Sequence, residues 1–202
     1  GPTMAALEKG YHVLLEKPMS PNEQECRDMV NKSLEKGLIL MVCHVLRYAP
    51  FYEKLKEIID EGRIGQIVNI QHTENVSYWH FAHSFVRGIF RNETISSPWI
   101  LAKSCHDLDM ITYLMNKKCK SVISNGNLMH FRKENAPDGA PEYCLDNCPH
   151  EKTCQYFAPA LYLKQITDVT WPSDVISVDT SYVSRYEALK KGPYGRCVYK
   201  CD

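Results

Sequence analysis

The chain has 202 residues, and its 24 lysines and arginines balance its 24 aspartates and glutamates, so its formal net charge at pH 7 is zero. A neutral chain provides no electric field that would attract nucleic acid or an anionic membrane surface, and neither is expected as a partner. The sequence contains no apolar run of about eighteen residues and no signal-peptide pattern, which predicts a cytoplasmic protein of one or two domains.

The first part of the chain alternates between helical and strand patterns. Apolar residues have helical spacing up to Gly10, whereas Val13, Leu14 and Leu15 form an uninterrupted apolar run typical of a buried parallel strand. Ser20 and the Pro21 that follows it are a helix-start signature. The predicted order is helix, strand, helix and strand, at residues 2–9, 13–15, 20–37 and 38–43. This order is typical of a doubly wound α/β sheet.

The first predicted strand is followed directly by Glu16, Lys17 and Pro18, which cannot continue it. Open α/β sheets bind their ligands at the carboxyl ends of the strands. Lys17 is therefore the first candidate for a functional side chain.

The stretch that surrounds this lysine, AALEKGYHVLLEKP at residues 5–18, resembles the Gfo/Idh/MocA oxidoreductases. The resemblance implies a Rossmann domain followed by a domain with a predominantly antiparallel sheet covered by helices. It also implies that Lys17 lies against the nicotinamide and the reacting carbinol, as a catalytic residue. Glu16, Lys17, Pro18 and Arg47 are the implied cofactor-binding residues.

The glycine-rich loop that binds the pyrophosphate in this family has no counterpart here, because no G-x-G-x-x-G occurs in the sequence. We therefore expect the chain to be a fragment without the N-terminal part of the Rossmann domain, and to bind NAD or NADP weakly by itself. The residue that distinguishes NAD from NADP is absent for the same reason.

A change in composition from Ala49 onward indicates two domains. Residues 1–46 are predicted to be the end of the NAD(P)-binding Rossmann domain, and residues 47–202 a substrate and oligomerisation domain. The second domain is predicted to begin with an amphipathic helix whose inward residues are Phe51, Leu55, Ile58 and Ile59. A partly alternating strand is expected over 67–76.

A second group of polar residues occurs in SPWILAKSCHDLDMITYL, residues 97–114. In the family this segment typically carries an aspartate, then a histidine four residues later, then an acidic pair. His106, Asp107 and Asp109 match this motif, with His106 as a catalytic and Asp107 as a substrate-binding residue, whereas Ala102 replaces the aspartate. Lys103 is either an ordinary helix lysine or a catalytic residue that, close to Lys17, favours a neutral amine on one of the two.

The segment from 75 to 97 combines histidines, arginines and aromatic residues. His83 and Arg87 are predicted to bind substrate, because a forked guanidinium suits a carboxylate or a phosphate. The alternative is a loop whose aromatic residues belong to the core, since burial is the default for such side chains.

Nine cysteines are a high and odd number. Cys144, Cys148 and Cys154, with His150, have ligand types that suit zinc. The spacing lacks the C-x2-C of common zinc modules, and Cys197 lies far along the chain. The prediction is therefore no metal but a loop of reduced cysteines, or a disulfide formed on handling, with a zinc site as the alternative.

Taken with the resemblance, these patterns predict an NAD- or NADP-dependent oxidoreductase that acts on a sugar, a polyol or a related carbinol. Lys17 or His106 would remove the hydroxyl proton. A homo-oligomer is expected, formed through the antiparallel sheet. Two alternatives remain open: a catalytically silent relative that binds a sugar or a partner, which Ala102 favours, and an NAD-dependent glycoside hydrolase.

Overall fold

A computed structural model describes residues 1–201, which form two compact units. The first unit combines Gly1–Glu74 with Ser97–Ile123, and the second combines Asn75–Ser96 with the chain from Ser124 onwards. These units do not follow the predicted domain boundary after residue 46, which stays a prediction.

The regular elements are mostly short helices. In chain order they are α1 (Pro2–Glu8), β1 (Val13–Leu15), α2 (Glu23–Lys36), β2 (Leu40–Val42), α3 (Pro50–Asp60), α4 (Tyr78–Phe81), α5 (Trp99–Ala102), α6 (Cys105–Met115), α7 (Ala158–Tyr162) and α8 (Tyr182–Lys191). Single 3-10 turns occur at Val45–Tyr48, Ile89–Arg91, Lys133–Asn135 and Pro193–Gly195, and a π-helical turn at Ala82–Arg87.

The first unit begins with the predicted helix, strand, helix and strand. β1 and β2 are parallel, with Leu14 opposite Met41 in the register. Helix α1 packs on α2, burying Leu7 completely and Met29 almost completely. The other face of the two-stranded sheet exposes Leu14, at 68% of its surface. A doubly wound sheet would carry a second layer of helices on such a face.

The termini of α2 show how local sequence sets a helix boundary. Gly37 ends the helix in the left-handed conformation, with φ of 63°, as glycine does most easily. The N-cap is Asn22, whose side chain accepts a hydrogen bond from the Glu25 amide at 3.2 Å. The prediction of Ser20 as the cap was wrong by two residues, because Ser20 instead accepts from the Asn22 amide at 3.1 Å.

Helix α3 is amphipathic as predicted, but one of its expected inward residues is not inward. Leu55, Ile58 and Ile59 are half-buried, whereas Phe51 is 71% exposed. Phe51 lies in the first turn, where its ring contacts the neighbouring Tyr52 edge-on at 5.2 Å between centroids. Its position at the helix end explains why helical periodicity alone misplaced it.

The antiparallel sheet is not confirmed. Residues 67–77 form no strand, and within residues 1–201 antiparallel pairing is limited to a single bridge between Tyr143 and Arg196. The backbone N–H and C=O groups of a strand form hydrogen bonds with a neighbouring strand. Within residues 1–201, no strand pairs with the segment 67–76. Its apolar Val68 is 93% exposed as a result.

The second unit has a core rich in aromatic residues, in two clusters. The buried members are Cys144, Ala158, Tyr162, Leu163 and Leu189 in one cluster, and Ala82, Val86, Tyr156 and Val198 in the other. Helix α8 carries Arg185, which is fully buried and donates to the backbone carbonyls of Tyr162 and Gln165. Among the helices of residues 1–201, none is both long and apolar enough to cross a membrane.

Candidate active site

Lys17 lies where the sequence places it, just beyond the carboxyl end of β1. Its ammonium group donates a hydrogen bond to the backbone carbonyl of Ala102 at 2.9 Å. Ala102 is the last residue of α5 and is almost fully buried. The lysine of the first motif is thus held against the second motif, at the position where the family typically has an aspartate.

His106 is brought to the same place by a break in the helical segment. Periodicity predicts continuous helical spacing over 97–114, but the chain forms two helices, α5 and α6, separated at Lys103 and Ser104. His106 consequently lies in the first turn of α6. Its Nδ1 atom is buried and has no hydrogen-bond partner. An unpaired buried imidazole nitrogen is a polar group that a ligand can satisfy.

The surroundings of His106 favour its neutral form. Burial lowers the pKa of His106 below its usual value, and the nearby charges of Lys17, His44 and Lys103 lower it further, against an opposing effect of Asp107. A histidine with a lowered pKa is neutral at pH 7, and a neutral imidazole accepts a proton. The structure therefore places a proton acceptor beside a lysine ammonium group.

Two ion pairs involve Lys103 and Asp107, whose charges act on His106. Asp107 accepts a hydrogen bond from His72 Nε2 at 2.8 Å, and Lys103 Nζ lies 3.1 Å from a Glu74 carboxylate oxygen. The possible ligand atoms of His72, Glu74 and Asp107 lie within 4.8 Å of one another. Because these groups already pair with each other and with Lys103, they do not by themselves indicate a metal ion.

Arg47, a predicted cofactor-binding residue, is engaged by the protein itself. Its guanidinium donates two hydrogen bonds to Asp109, at 2.8 and 2.6 Å, and lies over the Tyr113 ring at 4.8 Å from its centroid. This forked pair ties the turn after β2 to helix α6. A cofactor-binding role for Arg47 stays a prediction.

Glu16 and Pro18 flank Lys17 as the sequence requires. The Lys17–Pro18 peptide bond is cis. The pKa of the Cys43 thiol, at the end of β2, is raised by burial and by the nearby carboxylate of Glu16. These contacts place Glu16 at the carboxyl edge of the sheet, and its predicted role toward a cofactor is not tested by them.

His83 and Arg87 lie in the interior of the second unit, not on its surface. His83 is 3% exposed and its Nδ1 is 2.9 Å from the Tyr162 hydroxyl, while Arg87 is fully buried. Burial, with a smaller effect from the charges of His80 and Arg87, lowers the pKa of His83 to about 4. The aromatic segment forms core, so we do not include these two residues in the proposed site.

His44 was missed by the sequence analysis. It follows β2 at the same edge of the sheet as Lys17, and its Nδ1 lies 3.7 Å from an Asp109 carboxylate oxygen. The rule that selected Lys17, a polar residue at the carboxyl end of a parallel strand, would also have selected His44.

A parallel strand–helix–strand unit with a lysine just beyond its first strand is typical of α/β proteins of the Rossmann class. The sequence of residues 2–44 matches the model of the oxidoreductase family with an NAD-binding Rossmann fold, and residues 52–144 match the Gfo/Idh/MocA C-terminal domain. The chain belongs to the Gfo/Idh/MocA family, which confirms the resemblance.

Three curated relatives illustrate the family. A scyllo-inositol 2-dehydrogenase (NADP+) of Bacillus subtilis is 36% identical, over 66% of this chain and 35% of the relative. A 1,5-anhydro-D-fructose reductase of Ensifer adhaerens is 29% identical, over 68% and 40%. A 2,7-anhydro-N-acetylneuraminate hydratase of Mediterraneibacter gnavus is 30% identical, over 64% and 34%. The chain thus spans little more than a third of the length of these relatives.

Proposed function

We propose that the protein containing this chain is an NAD(P)-dependent oxidoreductase that acts on a sugar, a polyol or a related carbinol. The observation that carries the proposal is the convergence of Lys17, held by the Ala102 carbonyl, and His106, whose pKa is lowered, at the carboxyl edge of a parallel sheet. Relatives named as an inositol dehydrogenase and an anhydrofructose reductase support the substrate class.

In this proposal the two residues divide the handling of the hydroxyl group. The Lys17 ammonium group donates one hydrogen bond to the Ala102 carbonyl and has two further N–H groups for the substrate oxygen. Hydrogen bonds from these groups would orient the substrate and stabilise the negative charge that develops on its oxygen. His106, neutral at pH 7, accepts the hydroxyl proton. A bound nicotinamide supplies the hydride chemistry.

Lys103 and Asp107 are assigned supporting roles. The Lys103 charge favours neutral His106 and is itself held by Glu74. One carboxylate oxygen of Asp107 accepts a hydrogen bond from His72, and the second can accept one from a neighbouring hydroxyl of the substrate. Asp107 is therefore the substrate-binding residue of the proposal.

The residues present fit the nicotinamide end of the cofactor better than its pyrophosphate. Glu16, Lys17 and Pro18 lie at the sheet edge, and the Lys17 charge acts on His106, whose Nδ1 is buried without a partner. The sequence contains no glycine-rich loop to supply the backbone N–H groups for a pyrophosphate. We infer that these residues orient the cofactor and contribute little to its affinity.

The antiparallel sheet, the domain division after residue 46 and oligomerisation through the sheet belong to the same proposal. Val68 and Ile123 are more than nine-tenths exposed on segments without regular structure. Apolar residues of this kind become buried when such segments pair as strands and pack against a second layer.

Two observations favour alternative functions. Ala102 stands where an aspartate is typical, which favours a silent relative that only binds a sugar. One relative is named a hydratase, which favours addition of water over net oxidation. Accumulation of reduced cofactor separates oxidation from both.

The test measures NADH and NADPH formation by the complete protein across a panel of inositols, aldoses and anhydrosugars. We expect turnover with at least one of them and with one of the two cofactors. Tight cofactor binding without reduced cofactor, accompanied by water addition to an anhydrosugar, would instead establish the hydratase reaction. Binding without any turnover would establish the silent relative.

A further inference from the structure

Four cysteines of the second unit converge on one small cavity. Three of them, Cys144, Cys148 and Cys154, belong to one segment, and the fourth, Cys197, comes from near the other end of the described chain. The bridge between Tyr143 and Arg196 brings the two segments together. Cys144 donates its amide hydrogen to the Gly195 carbonyl at 2.8 Å, and Cys197 donates to the Glu142 carbonyl at 2.8 Å.

Tight turns fold the first segment back on itself. Asn147 adopts a left-handed conformation with φ of 54°, and the amide of Cys154 donates to the His150 carbonyl at 2.8 Å. Cys148 and Cys154 therefore return to the wall of the cavity that Cys144 and Cys197 also line. Cys197 is distant from the other three cysteines in sequence, which argued against it as a ligand. In the folded chain it lines the same cavity as they do.

The cavity has the size of a single ion. Its volume is about 20 Å³, and a volume of roughly 10–15 Å³ is enough for one water-sized body. The cysteines are free thiols, and burial raises the pKa of both Cys144 and Cys197.

A buried positive charge beside the cavity lacks an anionic partner. Arg87, fully buried, donates to the carbonyls of Arg196 and Tyr156, both at 2.8 Å, and lies 3.6 Å from the Cys144 sulfur. Its Nη1 has no partner, and none of the ion pairs in the described residues involves it. A buried cation is costly when only neutral groups surround it. Negative charge on the cysteine sulfurs would compensate it.

We propose that Cys144, Cys148, Cys154 and Cys197 bind one zinc ion as a closed tetrathiolate site. Four thiols lose four protons, four sulfur–zinc bonds form, and no electron is transferred. The resulting site has a net charge of minus two beside the Arg87 guanidinium. The site is structural, since four protein ligands leave no open position for a substrate.

Two neighbouring groups are outside the proposed ligand set. His150 Nε2 is occupied by the Asp138 carbonyl at 2.8 Å, and Cys201 donates to the Cys197 carbonyl at 3.3 Å and does not line the cavity. In the part of the chain that the structure describes, no three of the four sulfurs lie within 4.8 Å of one another. The two loops must therefore close on the ion, so binding and local folding are coupled.

The test measures zinc in the complete protein, produced with zinc and purified under reducing conditions. We expect one zinc per chain, with the content at least tenfold lower in Cys148→Ser and in Cys154→Ser. Cys119→Ser, at an exposed cysteine of the first unit, and Cys201→Ser are the matched controls and should keep the metal. Zinc content near zero in the wild-type protein, or unchanged in Cys148→Ser, would overturn the proposal.

A measurement that needs no variant covers the case in which a substitution prevents folding. Wild-type protein stripped of metal with a chelator is titrated with Co²⁺, and we expect intense sulfur-to-cobalt charge-transfer absorption that saturates at one equivalent. Absence of that absorption would overturn the proposal. An intact mass lower by two hydrogens per bond in unreduced protein, showing disulfides between these cysteines, would overturn it as well.

Discussion

The ammonium group of Lys17 donates a hydrogen bond to the backbone carbonyl of Ala102 at 2.9 Å. The contact joins two segments of the first unit that are 85 residues apart in sequence and that carry its two motifs. A backbone carbonyl thereby holds the lysine at the position where the family typically has an aspartate. The charge of Lys17 is not neutralised by this neutral acceptor, and it contributes to the low pKa of His106.

Restoring the aspartate should be tolerated only when the lysine is present. Ala102 is 6% exposed, so a carboxylate introduced there would be buried and would need a counter-charge. We expect Ala102→Asp to cost at least about 1 kcal/mol more stability in a Lys17→Met background than in the wild type. Urea unfolding of the four proteins in this cycle measures the coupling, and equal costs in both backgrounds would contradict it.

The pH dependence of turnover should report the charge of Lys103. This charge lowers the pKa of His106, so removing it raises that pKa. Because the neutral imidazole is the proton acceptor, activity falls at acid pH, and in Lys103→Met the fall should begin at higher pH than in the wild type. The matched control is Lys118→Met, at an exposed lysine beyond α6. A profile shifted to lower pH, or shifted equally in the control, would argue against the assignment.

The forked pair between Arg47 and Asp109 should stabilise the first unit. The Asp109 side chain is 9% exposed and that of Arg47 is 39% exposed, so solvent screens the pair only in part. We expect Asp109→Asn to lower the free energy of unfolding by about 1–2 kcal/mol. Chemical denaturation measures it, with Glu57→Gln in the exposed pair with Lys54 as the control. Equal losses in the free energy of unfolding for the two variants would show that burial does not strengthen the pair of Arg47 and Asp109.

Protonation of His83 should destabilise the second unit in acid. Its folded-state pKa of about 4 lies below the ordinary value of 6.5, so between these values the unfolded chain binds a proton that the folded chain does not. Stability should therefore be highest above pH 6.5 and fall by roughly 2–3 kcal/mol on acidification to pH 4. His83→Gln should remove that part of the slope, measured as the difference between wild-type and variant unfolding curves. An unchanged slope would show that His83 does not titrate as described.

Local rules predicted the helix, strand, helix and strand at the start of the first unit, but not the tertiary contacts of either unit. Val13–Leu15 and Gly37 are governed by short-range chemistry, namely apolar runs and left-handed caps, and both lie where the sequence places them. The interior position of Arg87 depends on the carbonyls of Arg196 and Tyr156, which are distant in sequence. No local pattern distinguishes such an arginine from one that binds substrate.

In the candidate site, too, some features could be predicted from the sequence and others depend on tertiary packing. Lys17 could be selected because strand ends are readable from sequence, and His106 because its motif resembles a family. The break between α5 and α6, the unpaired Nδ1 of His106 and the ion pair of Lys103 with Glu74 arise from tertiary packing. Cys197 is far from the other cysteines in sequence, but the bridge between Tyr143 and Arg196 brings it close to them in space.

Lys17 is the residue on which the proposed oxidation of a carbinol by a nicotinamide cofactor depends. The most direct measurement compares NAD(P)H formation by the complete wild-type protein, Lys17→Ala and the exposed-lysine control Lys9→Ala on the best substrate of the panel. We expect kcat to fall about 10²–10⁴-fold in Lys17→Ala, with cofactor binding retained, and turnover to stay at the wild-type level in Lys9→Ala. Wild-type turnover in Lys17→Ala would contradict this role of Lys17.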